Sequence, residues 1–174
     1  STGAVFLYDS TSYEEINKLE ASDGVSGDEF GCALSLLTSS RGTPILLVGA
    51  RYTADNGLVS GSAYVYRNWN EEVKLLASDG ARGDHFGEAV ALNEIESNLI
   101  AVIGAHYDDD AGLSSGSAYI FLSQDDGISW TQVQKIAASD ASSGDNFGIA
   151  CAAYGNYILI GAPSKDVHDI TNSI

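Results

Sequence analysis

A short sequence pattern occurs three times along this chain, and the repetition limits the folds that the chain can adopt. The pattern Gly-Asp-x-Phe-Gly occupies residues 27–31, 83–87 and 144–148, so the copies are 56 and 61 residues apart. Each copy is followed by an apolar run that ends in Gly-Ala, and two copies are then followed by Ser-Gly-Ser-Ala-Tyr. Self-similarity at this spacing predicts repeated supersecondary units. The residues that define the repeat are Phe30, Gly31, Phe86, Gly87, Phe147 and Gly148, together with Gly49, Gly104 and Gly161 of the Gly-Ala pairs.

Each repeat contains four short segments with the composition of β-strands. In the second repeat these segments are residues 86–92, 99–105, 117–122 and 131–137, which are rich in Val, Ile, Leu, Tyr and Ala. No segment has convincing helical periodicity. Four-stranded antiparallel sheets repeated along a chain are typical of a β-propeller, in which each sheet is one blade. The sequence therefore predicts an all-β propeller, and a β-sandwich with repetitive turns is the alternative fold.

The repeats divide the chain into units that begin and end within a blade. We predict one propeller segment over residues 1–174, with partial units at about 1–20 and 138–174 and complete units at about 21–76 and 77–137. The first eight residues match the third strand of a unit, and the last unit ends after its second strand. The chain therefore holds about three blade equivalents, whereas propellers typically have about four to eight blades. We expect a partial propeller that is completed by further blades of a longer parent chain or by another copy of the chain.

The charge of the chain restricts the partners that it can bind. The 24 acidic and 8 basic residues give a formal net charge of −16. This charge would repel a nucleic acid and attract cations or basic partners. No apolar stretch approaches the roughly 20 residues that a transmembrane helix needs. We therefore expect neither nucleic-acid binding nor a membrane span.

The Phe-Gly pairs and Gly-Ala segments resemble the FG-GAP repeat, which is the unit of the integrin α-subunit propeller and of many secreted microbial proteins. The resemblance covers nearly the whole chain, because several motifs recur in the order that the family shows. Gly161-Ala162-Pro163 is a full Gly-Ala-Pro, whereas Arg51 and His106 stand in place of proline in the other copies. The resemblance implies an extracellular or cell-surface propeller that is used for binding or adhesion, often with structural calcium.

The chain departs from this family at the position where integrin-type repeats bind calcium. Those repeats carry Asp-x-Asp-x-Asp-Gly-x-x-Asp between Phe-Gly and Gly-Ala-Pro. The corresponding connections here are residues 38–44, 93–98 and 154–156, and none of them contains this set of ligands. We therefore do not expect calcium at the integrin-type position.

The acidic residues concentrate instead in loops before each Phe-Gly pair and after each Gly-Ala pair. In an up-and-down blade these two sets of loops lie on the same face. Ca²⁺ takes about six to eight oxygen ligands, and the loop at residues 108–112 is the richest local source of them. We predict that any bound calcium is held by Asp108 and Asp110, with help from Asp79 and Asp84. The alternative is that Asp, Gly and Ser build tight turns through hydrogen bonds to the backbone.

Residues 123–130 match the Asp-box pattern Ser-x-Asp-x-Gly-x-x-Trp and resemble the hairpins of sialidase-type propellers. The matching residues are Ser123, Asp125, Gly127 and Trp130. The resemblance implies a structural turn between the third and fourth strands, in which Asp and Gly shape the hairpin and Trp packs beside it. The four arginines show no sign of the cluster that a sialidase needs for its carboxylate substrate.

Two other short motifs have the form of functional signatures, but their positions in the repeat favour structural roles. Arg82-Gly83-Asp84 aligns with Ser26-Gly27-Asp28, so its glycine and aspartate belong to the repeat. Residues 112–116 fit Gly-x-Ser-x-Gly, but a nucleophile elbow needs a strand, a sharp turn and a helix. Ser114 of this motif aligns with Val59 of the preceding repeat. We expect no catalytic residue and no enzymatic activity.

The histidines and lysines of the loops and outer strands give weaker signals. His85 and His106 fall in the predicted acidic loops, where a zinc site and solvated side chains are the competing interpretations. Lys18, Lys74 and Lys135 occur at matching positions of the fourth strands. We interpret these lysines as edge-strand charges that discourage aggregation between sheets.

These observations lead to three functional hypotheses. The first is an extracellular, non-catalytic binding or adhesion module for a protein or glycan ligand, with calcium as a candidate cofactor. The alternative is a structural subunit that assembles into oligomers or filaments by completing the propeller between chains. A glycan-processing propeller enzyme ranks third, because no pairing of a nucleophile with a base is visible.

Overall fold

The computed structural model describes residues 1–166, with the exception of the side chains of residues 71 and 72. This part of the chain contains twelve β-strands and no helix, and hence no helix that is long and apolar enough to cross a lipid bilayer. In chain order the strands are β1 (Val5–Tyr8), β2 (Glu15–Leu19), β3 (Ala33–Thr38), β4 (Pro44–Ala50), β5 (Ser62–Arg67), β6 (Asn70–Leu75), β7 (Ala89–Ile95), β8 (Asn98–Ala105), β9 (Ser117–Ser123), β10 (Thr131–Ile136), β11 (Ala150–Tyr154) and β12 (Tyr157–Gly161).

The strands form two complete four-stranded sheets between two half sheets. The order within the complete sheets is β3-β4-β5-β6 and β7-β8-β9-β10, and every neighbouring pair is antiparallel. The half sheets are β1-β2 and β11-β12. β3 packs beside β7 and β7 beside β11, so the first strands of successive sheets are neighbours. This arrangement confirms the predicted all-β propeller of four-stranded antiparallel blades, with about three blade equivalents.

The first strand of the second blade begins later than the sequence predicts. We expect a strand from Phe86, but β7 begins at Ala89. His85 and Gly87 have positive φ angles of 58° and 94°, so the Phe-Gly pair belongs to a turn. Phe86 itself makes an isolated parallel bridge to Gly61 of the preceding blade. The Phe-Gly pair, which recurs in all three repeats, therefore belongs to a connection between blades.

The phenylalanine of the repeat fills the space between neighbouring blades. Phe86 is fully buried, and its ring meets the rings of Tyr119 and Phe121 edge-on, with centroids 5.3 and 6.0 Å apart. The same hydrophobic cluster contains Ile45 from the preceding blade. Phe30 has an equivalent place in the cluster between the first half sheet and the first complete blade. Aromatic side chains at these positions bury roughly 150–250 Å² each, so they dominate the cohesion between blades.

The glycines of the Gly-Ala pairs allow the following blade to approach closely. A Cβ atom added at Gly49 would lie 2.0 Å from the carbonyl oxygen of Gly87, and one added at Gly104 would lie 1.8 Å from that of Gly148. Both distances are far shorter than any real contact of a Cβ atom. The Phe-Gly pair of each blade thus docks on the Gly-Ala pair of the blade before it. At Gly161 the nearest atom to an added Cβ, among those described, is 3.2 Å away.

Hydrogen bonds join the connections at the other ends of the strands, where integrin-type repeats bind calcium. The backbone amide and the hydroxyl of Ser40 donate to the Glu94 carboxylate at 2.8 and 2.6 Å. The side-chain amide of Asn93 donates to the carbonyl oxygen of Gly155 at 2.7 Å. Each of these bonds runs from one blade to its neighbour. Direct polar contacts therefore hold the blades together in the region that lacks the integrin-type ligand set.

Candidate functional site

Two sets of loops form one face of the protein, which we call the acidic loop face. It consists of the loops before β3, β7 and β11 (residues 20–32, 76–88 and 137–149) and the loops after β4, β8 and β12 (residues 51–61, 106–116 and 162–166). Backbone hydrogen bonds join the two sets. The amide of Tyr52 donates to the carbonyl of Asp28 at 3.2 Å, and Tyr107 makes the equivalent bond to Asp84 at 3.3 Å. The loops that carry most of the predicted carboxylates therefore meet on one side of the sheets.

In the second repeat, three of the predicted calcium ligands converge on a lysine. The Nζ atom of Lys135 lies 2.8 Å from an oxygen of Asp79 and 2.8 Å from an oxygen of Asp108. An oxygen of Asp110 approaches the same nitrogen to 2.5 Å. The hydroxyl of Tyr119 lies 3.0 Å from Asp79 and 2.8 Å from Asp108. The three carboxylates thus surround a positive charge that belongs to the protein itself.

The first repeat has a smaller version of the same arrangement. The Nζ atom of Lys74 lies 2.6 Å from Asp23 and 2.7 Å from Asp55. The hydroxyl of Tyr64 donates to Asp23 at 2.8 Å. Lys74 stands opposite Tyr64 in the sheet, and its ammonium group lies 5.2 Å from the centre of the tyrosine ring. The lysine–tyrosine–aspartate group is therefore a feature of the repeat.

The third repeat places a lysine in the same region from a different position in the sequence. Lys165 lies in the loop after β12, at the position that Asp108 occupies in the second repeat. Its Nζ atom lies 3.0 Å from an oxygen of Asp145 and also donates to the carbonyl oxygen of Asp140. Each of the three loop pairs therefore has an ammonium group between its carboxylates.

These contacts favour the charged forms of Lys135 and Asp79. Burial lowers the pKa of Lys135, but hydrogen bonds to Asp108, Asp110 and Asp79 outweigh burial and raise the pKa above its ordinary value. Burial raises the pKa of Asp79, but hydrogen bonds from Lys135 and Tyr119 outweigh it and leave the pKa below 3.8. A Ca²⁺ ion held by Asp108 and Asp110 would have to displace the Lys135 ammonium group. Calcium binding at these residues stays a prediction.

Asp84, the fourth predicted calcium ligand, lies in a turn and outside the Lys135 group. Its buried carboxylate accepts a hydrogen bond from the backbone amide of Ala81 at 2.7 Å. Asp28 and Asp145 accept the same bond in the other repeats, at 2.7 and 2.8 Å. Burial raises the pKa of Asp84, and the Ala81 hydrogen bond opposes this effect. Because the carboxylate is buried, the Arg-Gly-Asp sequence that ends at Asp84 presents no free carboxylate to a partner.

The structure corrects our interpretation of the fourth-strand lysines as simple edge charges. Lys74 and Lys135 do lie on outer strands, but their side chains are only 22 % and 20 % exposed and point into the carboxylate groups. Lys18, which is 46 % exposed, pairs instead with Glu20. A signal for this role exists in the sequence. The tyrosine of each Ser-Gly-Ser-Ala-Tyr motif stands opposite the lysine in the adjacent strand.

The histidines of the second repeat lie on the acidic loop face, as their positions in the sequence indicate. The ring centroids of His85 and His106 are 5.4 Å apart, and Glu88 lies beside both rings. These three residues are the group within the described part of the chain whose geometry fits a metal ion. The third histidine, His168, falls outside the described residues.

The Asp-box-like turn connects β9 to β10 at the end of the sheet opposite the acidic loop face. Asp125 accepts hydrogen bonds from the hydroxyl of Ser123 at 2.8 Å and from the amide and hydroxyl of Ser129 at 2.9 and 2.6 Å. The bonds from Ser129, and to a lesser extent that from Ser123, lower the pKa of Asp125 to about 2. The indole N–H of Trp130 donates a hydrogen bond to the carbonyl oxygen of Gly127 at 3.2 Å. All four residues of the pattern thus take part in closing the turn.

Apolar side chains also lie on the acidic loop face, and the acidic sequence pattern does not indicate them. An open groove of about 330 Å³ is lined by residues that include Val25, Tyr52 and Leu58. Leu58 is 59 % exposed, and Leu113, its equivalent in the second repeat, is 71 % exposed. Apolar groups that are surrounded by charged residues are typical of surfaces that bind other molecules. The face therefore offers both apolar contacts and negative charge.

Comparison with known protein families identifies the repeat. A family model described as the FG-GAP repeat matches residues 13–66, 69–121 and 130–173. The first two matches each run from the fourth strand of one blade through the third strand of the next. No curated protein sequence matches the chain. Each of these matches therefore contains the Phe-Gly turn that connects two blades.

Proposed function

Because the chain belongs to the FG-GAP repeat family, we propose that it is a non-catalytic binding and adhesion module that works outside the cell or at the cell surface. FG-GAP repeats are typical of integrin-like propeller modules, and the family is common in extracellular and surface proteins. Its ligand is a protein or glycan that contacts the acidic loop face. The ligand carries positive charge, since the chain has a formal net charge of −16.

One observation carries this proposal: exposed apolar side chains and carboxylates share a face whose loops are joined by hydrogen bonds and ion pairs. Hydrogen bonds link the loops of one blade to those of the next, for example from Gly83 to the carbonyl of Leu58 at 3.1 Å. The ion pairs of Lys74 and Lys135 with the loop aspartates join the same loops to the outer strands β6 and β10. Binding residues are commonly placed on loops that a rigid scaffold positions. A pre-arranged surface also loses less conformational entropy when it binds a ligand.

The geometry of the Gly-x-Ser-x-Gly motif supports the non-catalytic part of the proposal. Ser114 has a φ angle of 53°, and Val59, its equivalent in the first repeat, has a φ angle of 63°. The backbone amide of Ser114 donates to the carboxylate of Asp109 at 2.7 Å. The same turn therefore forms with or without a hydroxyl group, which is the behaviour of a structural loop.

A binding experiment with surface variants tests the proposed function. The protein is applied to a glycan array and to a panel of immobilised cell-surface and matrix proteins. For any ligand retained, Leu58→Asp and Leu113→Asp are expected to reduce affinity at least about tenfold, the loss that accompanies removal of an important apolar contact. Val133→Asp is the matched control, because Val133 is 50 % exposed on the outer strand β10.

Two results would overturn this function. One is retention of no ligand from either panel by a protein that is folded in the same buffer. The other is an equal loss of affinity in the Val133→Asp control, which would place the contact away from the acidic loop face.

The edges of the half sheets favour a second candidate function, assembly between chains. In the complete blades the second and third strands pair with each other, as β4 does with β5. The counterparts in the half sheets are β12 and β1, and neither has this partner among the described residues. Tyr157 and Leu159 of β12 are 74 % and 61 % exposed, and Phe6 of β1 is 50 % exposed. Pairing of β12 with an equivalent of β1 would cover these side chains.

A further inference from the structure

A compact group of potential metal ligands lies in the second repeat, apart from the lysine–aspartate group. His85 precedes the Phe-Gly pair, Glu88 follows it directly, and His106 follows the Gly-Ala pair at the end of β8. Each residue offers one ligand atom, and the three atoms all lie within 4.8 Å of one another. The docking of the Phe-Gly turn beside β8 is what brings these residues together, since His85 and His106 are 21 residues apart in the sequence.

His106 has a buried nitrogen atom without a hydrogen-bond partner. The residue is only 6 % exposed, and its Nδ1 atom is buried and makes no hydrogen bond. The nearest carboxylate oxygen, Oε2 of Glu88, is 3.9 Å away, which is too long for a hydrogen bond. Buried polar atoms are nearly always paired, so an unpaired one in a native structure needs an explanation. A metal ion between Nδ1 and the Glu88 carboxylate would supply the missing partner.

Ring contacts hold the two imidazoles in place. His85 and His106 meet edge-on, with ring centroids 5.4 Å apart. The ring of Tyr107 packs against both histidines, with centroids 4.7 Å from His85 and 3.9 Å from His106. These contacts restrict the rotation of the two rings.

The charged residues around the group tolerate a divalent cation. The Nη1 atom of Arg51 donates to both oxygens of Glu88 at 2.9 Å, and its Nε atom donates to Glu29 at 2.8 Å. One arginine between two glutamates leaves an excess of negative charge. Groups that hold a ligand carboxylate in place from behind are a regular part of metal sites. Arg51 therefore orients Glu88 and leaves its Oε2 atom facing His106.

We propose that His85, Glu88 and His106 bind a Zn²⁺ ion. Two imidazole nitrogens and one carboxylate oxygen suit zinc, and a site with three protein ligands leaves a fourth position for water or for a group from a binding partner. Ca²⁺ is not the ion for this group, because it prefers oxygen ligands alone. Ligand atoms of a tetrahedral zinc ion are about 3.4 Å apart, so small side-chain rotations bring the three groups to coordinating distance. The site goes beyond the proposed function, since it does not depend on the identity of the ligand that the acidic loop face binds.

The other repeats show that the backbone does not require these residues. The first repeat has Glu29, Cys32 and Arg51 at the three positions, and the third repeat has Asn146, Ile149 and Pro163. His85 and Asn146 adopt nearly the same φ angle, at 58° and 56°. His85→Asn therefore introduces the residue that the chain itself uses in an equivalent turn. This variant removes a ligand and preserves the local backbone.

The proposal is tested by titrating the metal-free protein with Zn²⁺ in a calorimeter and with Co²⁺ in a spectrophotometer. The wild type is expected to bind one Zn²⁺ per chain and to give the intense visible absorption of four-coordinate Co²⁺. His85→Asn and Glu88→Gln are each expected to weaken Zn²⁺ binding by more than the roughly 10–100-fold that loss of an outer-shell partner costs. Their melting curves, recorded without metal, establish that both variants are folded.

Two controls separate this site from the other candidate ligands. His168→Asn removes the third histidine, and Asp108→Asn removes a carboxylate of the Lys135 group; both are expected to bind Zn²⁺ as the wild type does. The proposal is overturned if His85→Asn and Glu88→Gln retain wild-type affinity. It is also overturned if His168→Asn abolishes binding, or if the wild type gives no saturable binding of Zn²⁺.

Discussion

At Gly104, the size of a single side chain decides whether two blades can meet. The φ angle there is ordinary, so the need for glycine comes from the carbonyl oxygen of Gly148, which would lie 1.8 Å from an added Cβ atom. Backbone atoms of the following blade cannot move away without breaking the Phe-Gly turn. The glycine of the Gly-Ala motif is therefore explained by steric contact between blades.

Gly104→Ala is expected to destabilise the protein by about 3 kcal/mol, the upper part of the usual range for overpacking a tight interior. Gly161→Ala is the matched control, because it changes the equivalent glycine where the nearest atom to the new methyl group is 3.2 Å away. The free energy of unfolding in urea measures both variants. Equal losses would show that the contact with Gly148 is not the cause.

Lys135 is a second residue whose contribution to stability can be measured separately. Lys135→Met leaves Asp79, Asp108 and Asp110 close together without a counter-charge, and we expect a loss of about 2 kcal/mol at pH 7. In the wild type the pKa of Asp79 is lowered, so its contribution is present above pH 3.8 and is lost as the pH falls through the lower value. In the variant, repulsion raises the carboxylate pKa values instead. Stability of the variant is therefore expected to increase as the pH falls from 7 to 5.

Melting temperatures at pH 7 and pH 5 measure this difference, with Lys18→Met as the control for loss of an exposed lysine. Calcium provides a second measurement on the same variant. A Ca²⁺ ion can take the place of the missing ammonium group, so calcium is expected to raise the melting temperature of Lys135→Met more than that of the wild type. Asp108→Asn in the Lys135→Met background is expected to remove that increase. An identical response to pH and calcium in Lys135→Met and the wild type would contradict the assigned role of the lysine.

At the scale of strands and turns, the sequence predicted the elements better than the contacts between them. The strands of the complete blades could be placed because apolar runs alternate with Gly, Asp and Ser. The sequence does not indicate the pairing of Tyr64 with Lys74 and of Tyr119 with Lys135, since the separation is 10 residues in one blade and 16 in the other. Such a pairing depends on the register of the hairpin, which follows from turn geometry. Of the three proposed Zn²⁺ ligands the sequence indicates only the two histidines, because the docked turn brings Glu88 to them.

The Asp-box-like hairpin connects two blades through the residue beside its central aspartate. Asp126 accepts hydrogen bonds from the hydroxyl of Thr43 at 2.6 Å and from Nη2 of Arg67 at 3.0 Å, and both donors belong to the preceding blade. Asp126 has a φ angle of 64°, which asparagine tolerates well. Asp126→Asn therefore removes the charge and keeps the turn. The hairpin also joins its neighbour through the backbone of Asp126, whose carbonyl oxygen accepts a hydrogen bond from Nε of Arg67 at 3.0 Å.

Asp126→Asn is expected to cost about 2 kcal/mol of stability, because the acceptor of the buried hydrogen bonds from Thr43 and Arg67 loses its charge. A double-mutant cycle with Arg67→Met isolates the contact between the two blades. The coupling energy from urea unfolding is expected to exceed 1 kcal/mol, in the roughly 0.5–3 kcal/mol range of contacting residues. If the effects of the two substitutions are additive, the contact between Asp126 and Arg67 does not stabilise the packing of the two blades.

At the scale of the whole molecule, the exposed edges of β12 and β1 are complementary in position and in chemistry. Pairing between them would repeat the β4–β5 contact and would build a full blade from two half sheets. Two copies joined in this way would form a ring of six blades, which lies within the usual range of about four to eight. Three copies would exceed that range. Assembly from this chain alone is therefore expected to stop at two copies.

Analytical ultracentrifugation over a range of concentrations is expected to show a dimer of twice the chain mass. Leu159→Lys is expected to shift the equilibrium toward the monomer, because it places a charge on the apolar edge of β12. Leu58→Lys adds the same charge on the acidic loop face, where Leu58 is 59 % exposed, and is expected to leave the equilibrium unchanged. A monomer at every concentration, or larger species without a dimer, would contradict the ring.

The contact of each Phe-Gly turn with the blade before it runs in one direction along the chain, and this gives the protein an order of opening. β8 is covered by the turn that leads into β11, whereas β12 has three exposed residues in five and no such cover within the described residues. Segments with few buried contacts open first and exchange their amide hydrogens first. In hydrogen–deuterium exchange the amides of β12 are expected to exchange well before those of β8. Local unfolding would then begin at the β11-β12 half sheet, and a strand or turn that covers β12 would stabilise this end of the propeller.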